Sequence, residues 1–495
     1  MAEINPASSP PPLAAAPMGN ARKAVTPLSD FHDRLSPMLV KELRQGLRAK
    51  TFVSVFLALQ GFLAFVLLTA AGGMGTGTSG GGTISSIIFF FFSIAALVIQ
   101  PLRGIGALHG EIKENTIELM VLTRLSSWRI VLGKWVSIYS QTALLFIAII
   151  PYLILRYFFG GMQLFSELLM MGTVFFLSGV FTAFTVGLSA VPSILIRGLL
   201  PLVGGVVLIS FIWGLAARFG DVSNAFSLES AESRWVLAIT YVAGSYLAWM
   251  ALGLGASAIA PAAENHSTIR RVISLGCLLL VGLLIRFRST DETVMVLLLG
   301  MTVVPAVILS LTEPFHLLPP VCAKFVKKGA AGVVAGRFLY PGWPSGTLFS
   351  IALIALAGLF FALSKRVPSD DTGVFLICTA GTLLFPAALL GGFQRRIKNR
   401  FAAYVIALVS TVLITLVAVA ISSSMSSHDF LWAFCWVPPM PFFLREVANV
   451  PTTEAMTTGA FFTGIYAIAA LLFAIRQSGP IRQVEEQTRQ YNPPS

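Results

Sequence analysis

Phe52-Val-Ser-Val-Phe-Leu-Ala-Leu-Gln-Gly-Phe-Leu-Ala-Phe-Val-Leu-Leu-Thr-Ala-Ala71 runs for twenty residues without a charge. At 1.5 Å per residue a helix of that length spans about 30 Å, the thickness of the hydrocarbon core of a bilayer. In that core no water pairs with the backbone, so a lone apolar run must satisfy its own N–H and C=O groups as a helix. Eleven further runs read the same way: Ile84–Pro101, Trp135–Leu155, Leu168–Val191, Leu199–Ala217, Trp235–Ala260, Val272–Ile285, Thr293–Leu311, Leu348–Leu363, Gly373–Phe393, Phe401–Ile421 and Thr457–Ile475. Val272–Ile285 is short, and its flanking Arg270, Arg271 and Arg286 are expected to snorkel outward to the interface. The expectation is an all-α polytopic membrane protein of about twelve helices, in the cell's inner membrane.

Composition agrees. Hydrophobic residues make up 56% of the 495-residue chain and charged residues 11%, and mean hydropathy is +0.82. Soluble domains carry about 25% charged residues. The net charge of +12 is a membrane-orientation signal rather than a nucleic-acid footprint, as its distribution shows. With the amino terminus inside, 26 of the 34 Lys and Arg fall in the seven inner segments and 8 in the six outer loops. The 22 acidic residues divide evenly. Such a bias in Lys and Arg alone is what sets orientation, so both ends are expected in the cytoplasm.

Residues 1–34 include a Pro-, Ala- and Ser-rich stretch without the apolar core of a cleavable signal, and read as a disordered cytoplasmic tail. Six helices in 35–263 and six in 264–476 make a six-plus-six duplication an option, because the long loops recur in similar places; 477–495 reads as a second cytoplasmic tail. In the long outer loop 422–456, the aromatic, Pro-broken stretch Phe430–Leu444 looks too short to cross and is expected to dip in as a re-entrant hairpin. Cys277, Cys322, Cys378 and Cys435 are scattered and read as small packing residues, with neither a disulfide framework nor a zinc site.

Two motif matches carry no chemistry. Gly75-x-Gly77-x-x-Gly80 and Gly77-x-Ser79-x-Gly81 lie in a loop between membrane helices, without the strand–turn–helix context their mechanics need. No Gly-x-x-x-x-Gly-Lys-Ser/Thr occurs, so no phosphate loop is present in the chain. The five histidines fall at span ends or in loops, and the spans are nearly free of Asp, Glu and Lys, whereas ion-coupled carriers normally place ionisable groups there. Energy for any active transport is therefore expected from outside the chain.

Leu35-Ser-Pro-Met-Leu-Val-Lys-Glu-Leu-Arg-Gln-Gly-Leu-Arg-Ala-Lys50 precedes the first span. Ser36 can cap and Pro37 suits a first helical turn, with apolar residues at helical spacing and Lys41, Arg44 and Arg48 on other faces. That pattern fits an interfacial helix, or a plain basic flank to the first span. The inner loop 103–134 holds Glu111, Glu114 and Glu118 three and four residues apart on one helical face, ready to meet basic groups on a partner. Ile112, Leu119 and Leu122 would fill a groove beside them. A loop helix lying against headgroups is the plainer alternative.

This loop resembles the cytoplasmic loop of ABC-2 type exporter permeases. The resemblance rests on the acidic residue ahead of Thr116-Ile-Glu118-Leu119, the polar break that follows, and Gly133-Lys134 at the next span. Lys41-Glu42-Leu-Arg44 is similar to the family's opening helix, and the likeness covers about 35–263. Asn115 stands where the family usually has glycine and Arg124 where proline is common; loop 312–347 shows no comparable motif. The resemblance implies a permease subunit of an ATP-driven exporter whose loop Glu111–Leu122 docks as a coupling helix on a separate ATP-binding subunit. ATP and Mg would then sit on that partner, with no cofactor and no catalysis on this chain. A second copy or a second permease chain is an optional further partner, alongside the lipid bilayer. A secondary carrier of six plus six helices, or a scaffold that recruits an ATPase without transporting, remains a rival reading.

Overall fold

The computed structural model describes residues 37–73, 80–114, 126–158, 163–226, 228–261, 264–288, 291–365, 369–392, 397, 399–424 and 429–491. Among them there is no strand, and twelve helices are long and apolar enough to cross a membrane. They are Lys50–Thr69, Gly82–Lys113, Ser127–Tyr157, Leu164–Leu188, Leu195–Ala217 and Ala231–Ile259, then Ser267–Phe287, Glu292–Thr312, Trp343–Ala362, Asp370–Gly392, Arg400–Ser423 and Thr452–Arg476. Each contains the greater part of one of the twelve apolar runs. The chain is thus an all-α, multi-pass membrane protein.

Two apolar cores organise the spans. Leu63, Ile88, Phe92, Leu145, Met171 and Ile212 pack the first five around one centre. Leu278, Leu299, Val307, Leu353, Leu383 and Tyr404 pack spans seven to eleven around another, which the sixth span joins through Met250. Outward-facing residues such as Leu68, Phe211 and Leu280 stay exposed, as expected where lipid is the solvent.

The sixth span is the seam between the two cores. Its Tyr246 hydroxyl lies 3.1 Å from both Ser274 Oγ on the seventh span and the Thr302 carbonyl on the eighth. On its other side it crosses the fourth span at small residues, Ala251 and Gly255 against Gly187. This small-xxx-small spacing lets two backbones meet, the usual basis of helix association in lipid. A Cβ on Gly187 would come 2.1 Å from the Ala251 carbonyl oxygen, which is backbone and cannot rotate away. Gly187→Ala is therefore expected to cost about 1–3 kcal/mol by overpacking. The readout is a lower melting temperature in detergent, whereas Gly214→Ala, with open space around it, should melt like the parent.

Several contacts gather the ends of the chain on one side of the bundle. Lys134 at the start of the third span reaches the helix ahead of the first, Pro37–Leu47. Ser127 Oγ donates to Glu264, 2.9 Å away in the linker between the sixth and seventh spans. Arg337, between the eighth and ninth spans, meets Glu485 in the helix after the twelfth at 3.5 Å.

Two expectations change on contact with the structure, and two further segments gain detail. The second span does not stop at Pro101 but runs to Lys113, through a π turn at Ala95–Ile99 and a 3-10 turn at Arg103–Gly106. Arg270 and Arg271 do not snorkel outward: they are 7% and 1% exposed and turn inward to Glu313, while Arg286 is exposed as expected. Within 477–495, Gly479–Tyr491 is a helix, docked through Ile481 against Cys322, Val326 and Tyr340. The segment between the eleventh and twelfth spans is a 3-10 turn at Asp429–Phe434 followed by the helix Met440–Ala448; Leu431, Val437, Met440 and Leu444 pack there with Ala418 of the eleventh span.

Candidate coupling site and the cavity at the seam

Lys134 is the centre of the first constellation. Its Nζ lies 2.8 Å from Glu42 Oε1 and 2.6 Å from Glu111 Oε1, with the three side chains only 13–15% exposed. The ammonium thus joins the helix Pro37–Leu47, the end of the second span and the start of the third. Glu42 is carried there because its helix docks closely on the third span. A Cβ on Gly46 would come 2.3 Å from Gln141 Nε2, and Ser137 Oγ donates to the Glu42 carbonyl at 2.9 Å. Gln141 also accepts from Arg103, which donates to Gln100 Oε1 at 2.8 Å. Lys41, Arg44 and Arg48 remain exposed on the helix's other side, where cations would meet anionic headgroups.

The other sequence-derived coupling residues fare differently. Glu111, expected to face a partner, is engaged by Lys134 within the chain. His109–Lys113 is helical and Glu114 caps its end, exposed. Thr116, Glu118, Leu119 and Leu122 lie outside the described residues, so the helix expected over Glu111–Leu122 is described only at its start. Gly133 has open space where a Cβ would stand, so no close approach requires glycine there.

A second constellation lies at the seam. Glu313 follows the eighth span and accepts on both carboxylate oxygens. Oε1 takes Arg270 at 3.0 Å and the Ser267 hydroxyl; Oε2 takes Arg271 at 2.6 Å and the Gly342 amide at 3.2 Å. Arg271 further donates to the carbonyls of Phe338, Tyr340 and Gly342 at 2.9, 2.6 and 3.0 Å. Gly342 has φ +113°, which suits glycine, and puts its amide and carbonyl where the network needs them. The sequence reading missed this cluster. Its available signal was a tandem arginine at the start of one span and a lone carboxylate at the end of the next, since buried charges need partners. A third pair was missed the same way: the buried Arg156 and Glu167, one residue outside the runs as read, are span residues, and Ser85 Oγ donates to Glu167 at 2.7 Å.

Between these constellations, where the fourth, sixth, seventh, eighth and eleventh spans converge, is a cavity of about 800 Å³. Ile112 at one side and Arg270, Glu313 and Arg400 at the other line it, so it touches both halves of the chain. Among the described residues no group of three or more His, Cys, Asp or Glu could hold a metal, and the four cysteines are free. No known protein family, curated protein or solved structure matches this chain.

Proposed function

We propose that this chain is the membrane-spanning permease subunit of an ATP-driven exporter, coupled to a separate ATP-binding subunit through loop 103–134. The observation that carries the reading is the Lys134 bridge. The three segments that resemble ABC-2 type permeases, namely the opening Lys41-Glu42-Leu-Arg44 helix, the Glu111 loop and the Gly133-Lys134 step, are far apart in sequence and meet at one ammonium. A load applied to the loop by a docked ATPase then passes directly into the first, second and third spans. The exposed Glu114 is left to face the partner, and Glu111 acts inside the chain to tie the loop to the spans.

In this reading both termini face the cytoplasm of the inner membrane, the chain binds neither ATP nor Mg itself, and a second copy or a second permease chain completes the pore. The secondary-carrier alternative draws some support from the buried Glu313 cluster. Against it, both oxygens of Glu313 are already taken by four donors, so that carboxylate is engaged within the chain.

Coupling requires the Lys134 end of the bundle to face the compartment that holds ATP. In a cysteine-free background, single cysteines at the exposed positions Asp221 and Asp370 are expected to react with an impermeant thiol reagent applied to intact cells. Those at the exposed Lys113 and Lys328 should react only after permeabilisation. Labelling of Lys113 or Lys328 positions from outside would put the loop out of reach of an ATPase and end the reading.

A further inference from the structure

The cavity at the seam is lined by charged groups of both signs, of which one cation has no carboxylate partner among the described residues. Two guanidinium groups, those of Arg270 and Arg400, and two carboxylates, Glu264 and Glu313, line it. Both carboxylates are occupied: Glu313 as described, and Glu264 by Ser127 and by His266 Nε2 at 3.0 Å. Arg400 is not. Its Nε donates to the Leu311 carbonyl at 3.0 Å and its guanidinium lies over the Trp343 ring, 3.9 Å from the centroid. Its outer N–H groups meet no acceptor among the described residues, and no carboxylate there pairs with it. Stacking holds the guanidinium plane while leaving its edge donors free, the arrangement that receives phosphate oxygens in a fork.

The rest of the wall mixes polar residues such as Ser257, Asn265 and Thr312 with an apolar strip. Leu254, Leu309 and Phe401 belong to membrane spans, and the exposed Ala258 and Pro261 stand at the mouth. A volume of about 800 Å³ lies within the range of small-molecule sites, which combine apolar walls with a few convergent polar groups. Basic pockets between transmembrane helices are also where phosphate headgroups are received.

We propose that this cavity binds a phosphate-bearing anionic amphiphile, its phosphate on Arg400 beside Arg270 and its chain along the apolar wall of Leu254, Leu309 and Phe401. The assignment stands apart from the coupling reading, because it needs neither an ATPase nor a direction of transport.

The test uses the full-length chain purified in neutral detergent, with bound lipid counted by native mass spectrometry and stability read by melting temperature. Phosphatidylglycerol is expected to bind saturably and raise the melting temperature, while phosphatidylcholine and inorganic phosphate at equal concentration do neither. Arg400→Gln should weaken phosphatidylglycerol binding about tenfold, through loss of a charge-assisted fork. Ala258→Trp narrows the mouth without entering a core, and should weaken it too if Arg400→Gln proves unstable. Arg445→Gln, which removes a cation paired with Asp371 at the other end of the bundle, should bind like the parent. Equal binding of phosphatidylcholine, parent-like binding by both Arg400→Gln and Ala258→Trp, or full stabilisation by inorganic phosphate alone would each overturn the proposal.

Discussion

Glu313→Ala is expected to abolish recovery of monodisperse protein. The carboxylate receives four donors, two of them guanidinium groups that are 7% and 1% exposed. Its removal leaves two positive charges buried side by side with no countercharge. Breaking a buried ion pair by deleting one partner costs about 3–5 kcal/mol, a large part of the 5–15 kcal/mol that typically holds a domain folded. The loss also spreads. Arg271 fixes the carbonyls of Phe338, Tyr340 and Gly342, so the loop before the ninth span loses its anchor, and with it the packing of Tyr340 on Cys322 and Ile481. Burial pushes the Tyr340 phenol above its ordinary value, so it stays a neutral hydroxyl and supplies no substitute charge. Size-exclusion profiles of tagged protein check the expectation: a parent-like peak for Glu313→Ala would mean the network contributes little.

Lys134→Glu should have the second-largest effect, of a different kind. It replaces one cation between two carboxylates with a third carboxylate, at a site whose side chains are 13–15% exposed. Both attractive contacts become repulsive, which at this degree of burial costs on the order of 3 kcal/mol. The cores at Leu63 and Leu299 lie elsewhere, so the bundle should still form. What fails is the attachment of Pro37–Leu47 to the third span, seen as faster amide exchange across that helix. Adding Glu42→Lys restores the same net charge with the signs exchanged, and should recover protection if the Lys134 bridge is what holds the helix.

The helices were legible in sequence because a bilayer demands long uncharged runs, and the runs around Leu63, Leu145 or Leu299 have no other use for twenty apolar residues. Span ends were less legible. Arg156, Glu167, Arg270 and Arg271 sit where a hydropathy reading stops, and whether such a residue snorkels or turns inward depends on a partner distant in sequence. Glu313 is 42 residues from Arg271, so no local pattern joins them. The candidate site was legible as parts: Glu42, Glu111 and Lys134 were each singled out, yet sequence spacing pointed Glu111 at a partner because it could not reveal the ammonium 2.6 Å away. The cavity was invisible for the same reason, its lining coming from segments spread between Ile112 and Phe401.

On the proposed function, this chain passes the work of a separate ATPase into its spans through the Lys134 bridge. The most direct measurement is the ATP turnover of tagged chain extracted from its native membranes. A phosphate-loop ATPase is expected to copurify and hydrolyse ATP, while the separated chain hydrolyses none. Without the Lys134 contacts inside the chain the loop must be ordered as it docks, and a cost on the order of 2 kcal/mol weakens association about 30-fold. Lys134→Glu should therefore strip most of the ATPase, and Glu42→Lys in the same chain should return it. Absence of any ATPase from the parent, ATP hydrolysis by the chain alone, or undiminished copurification with Lys134→Glu would rule out coupling through Lys134.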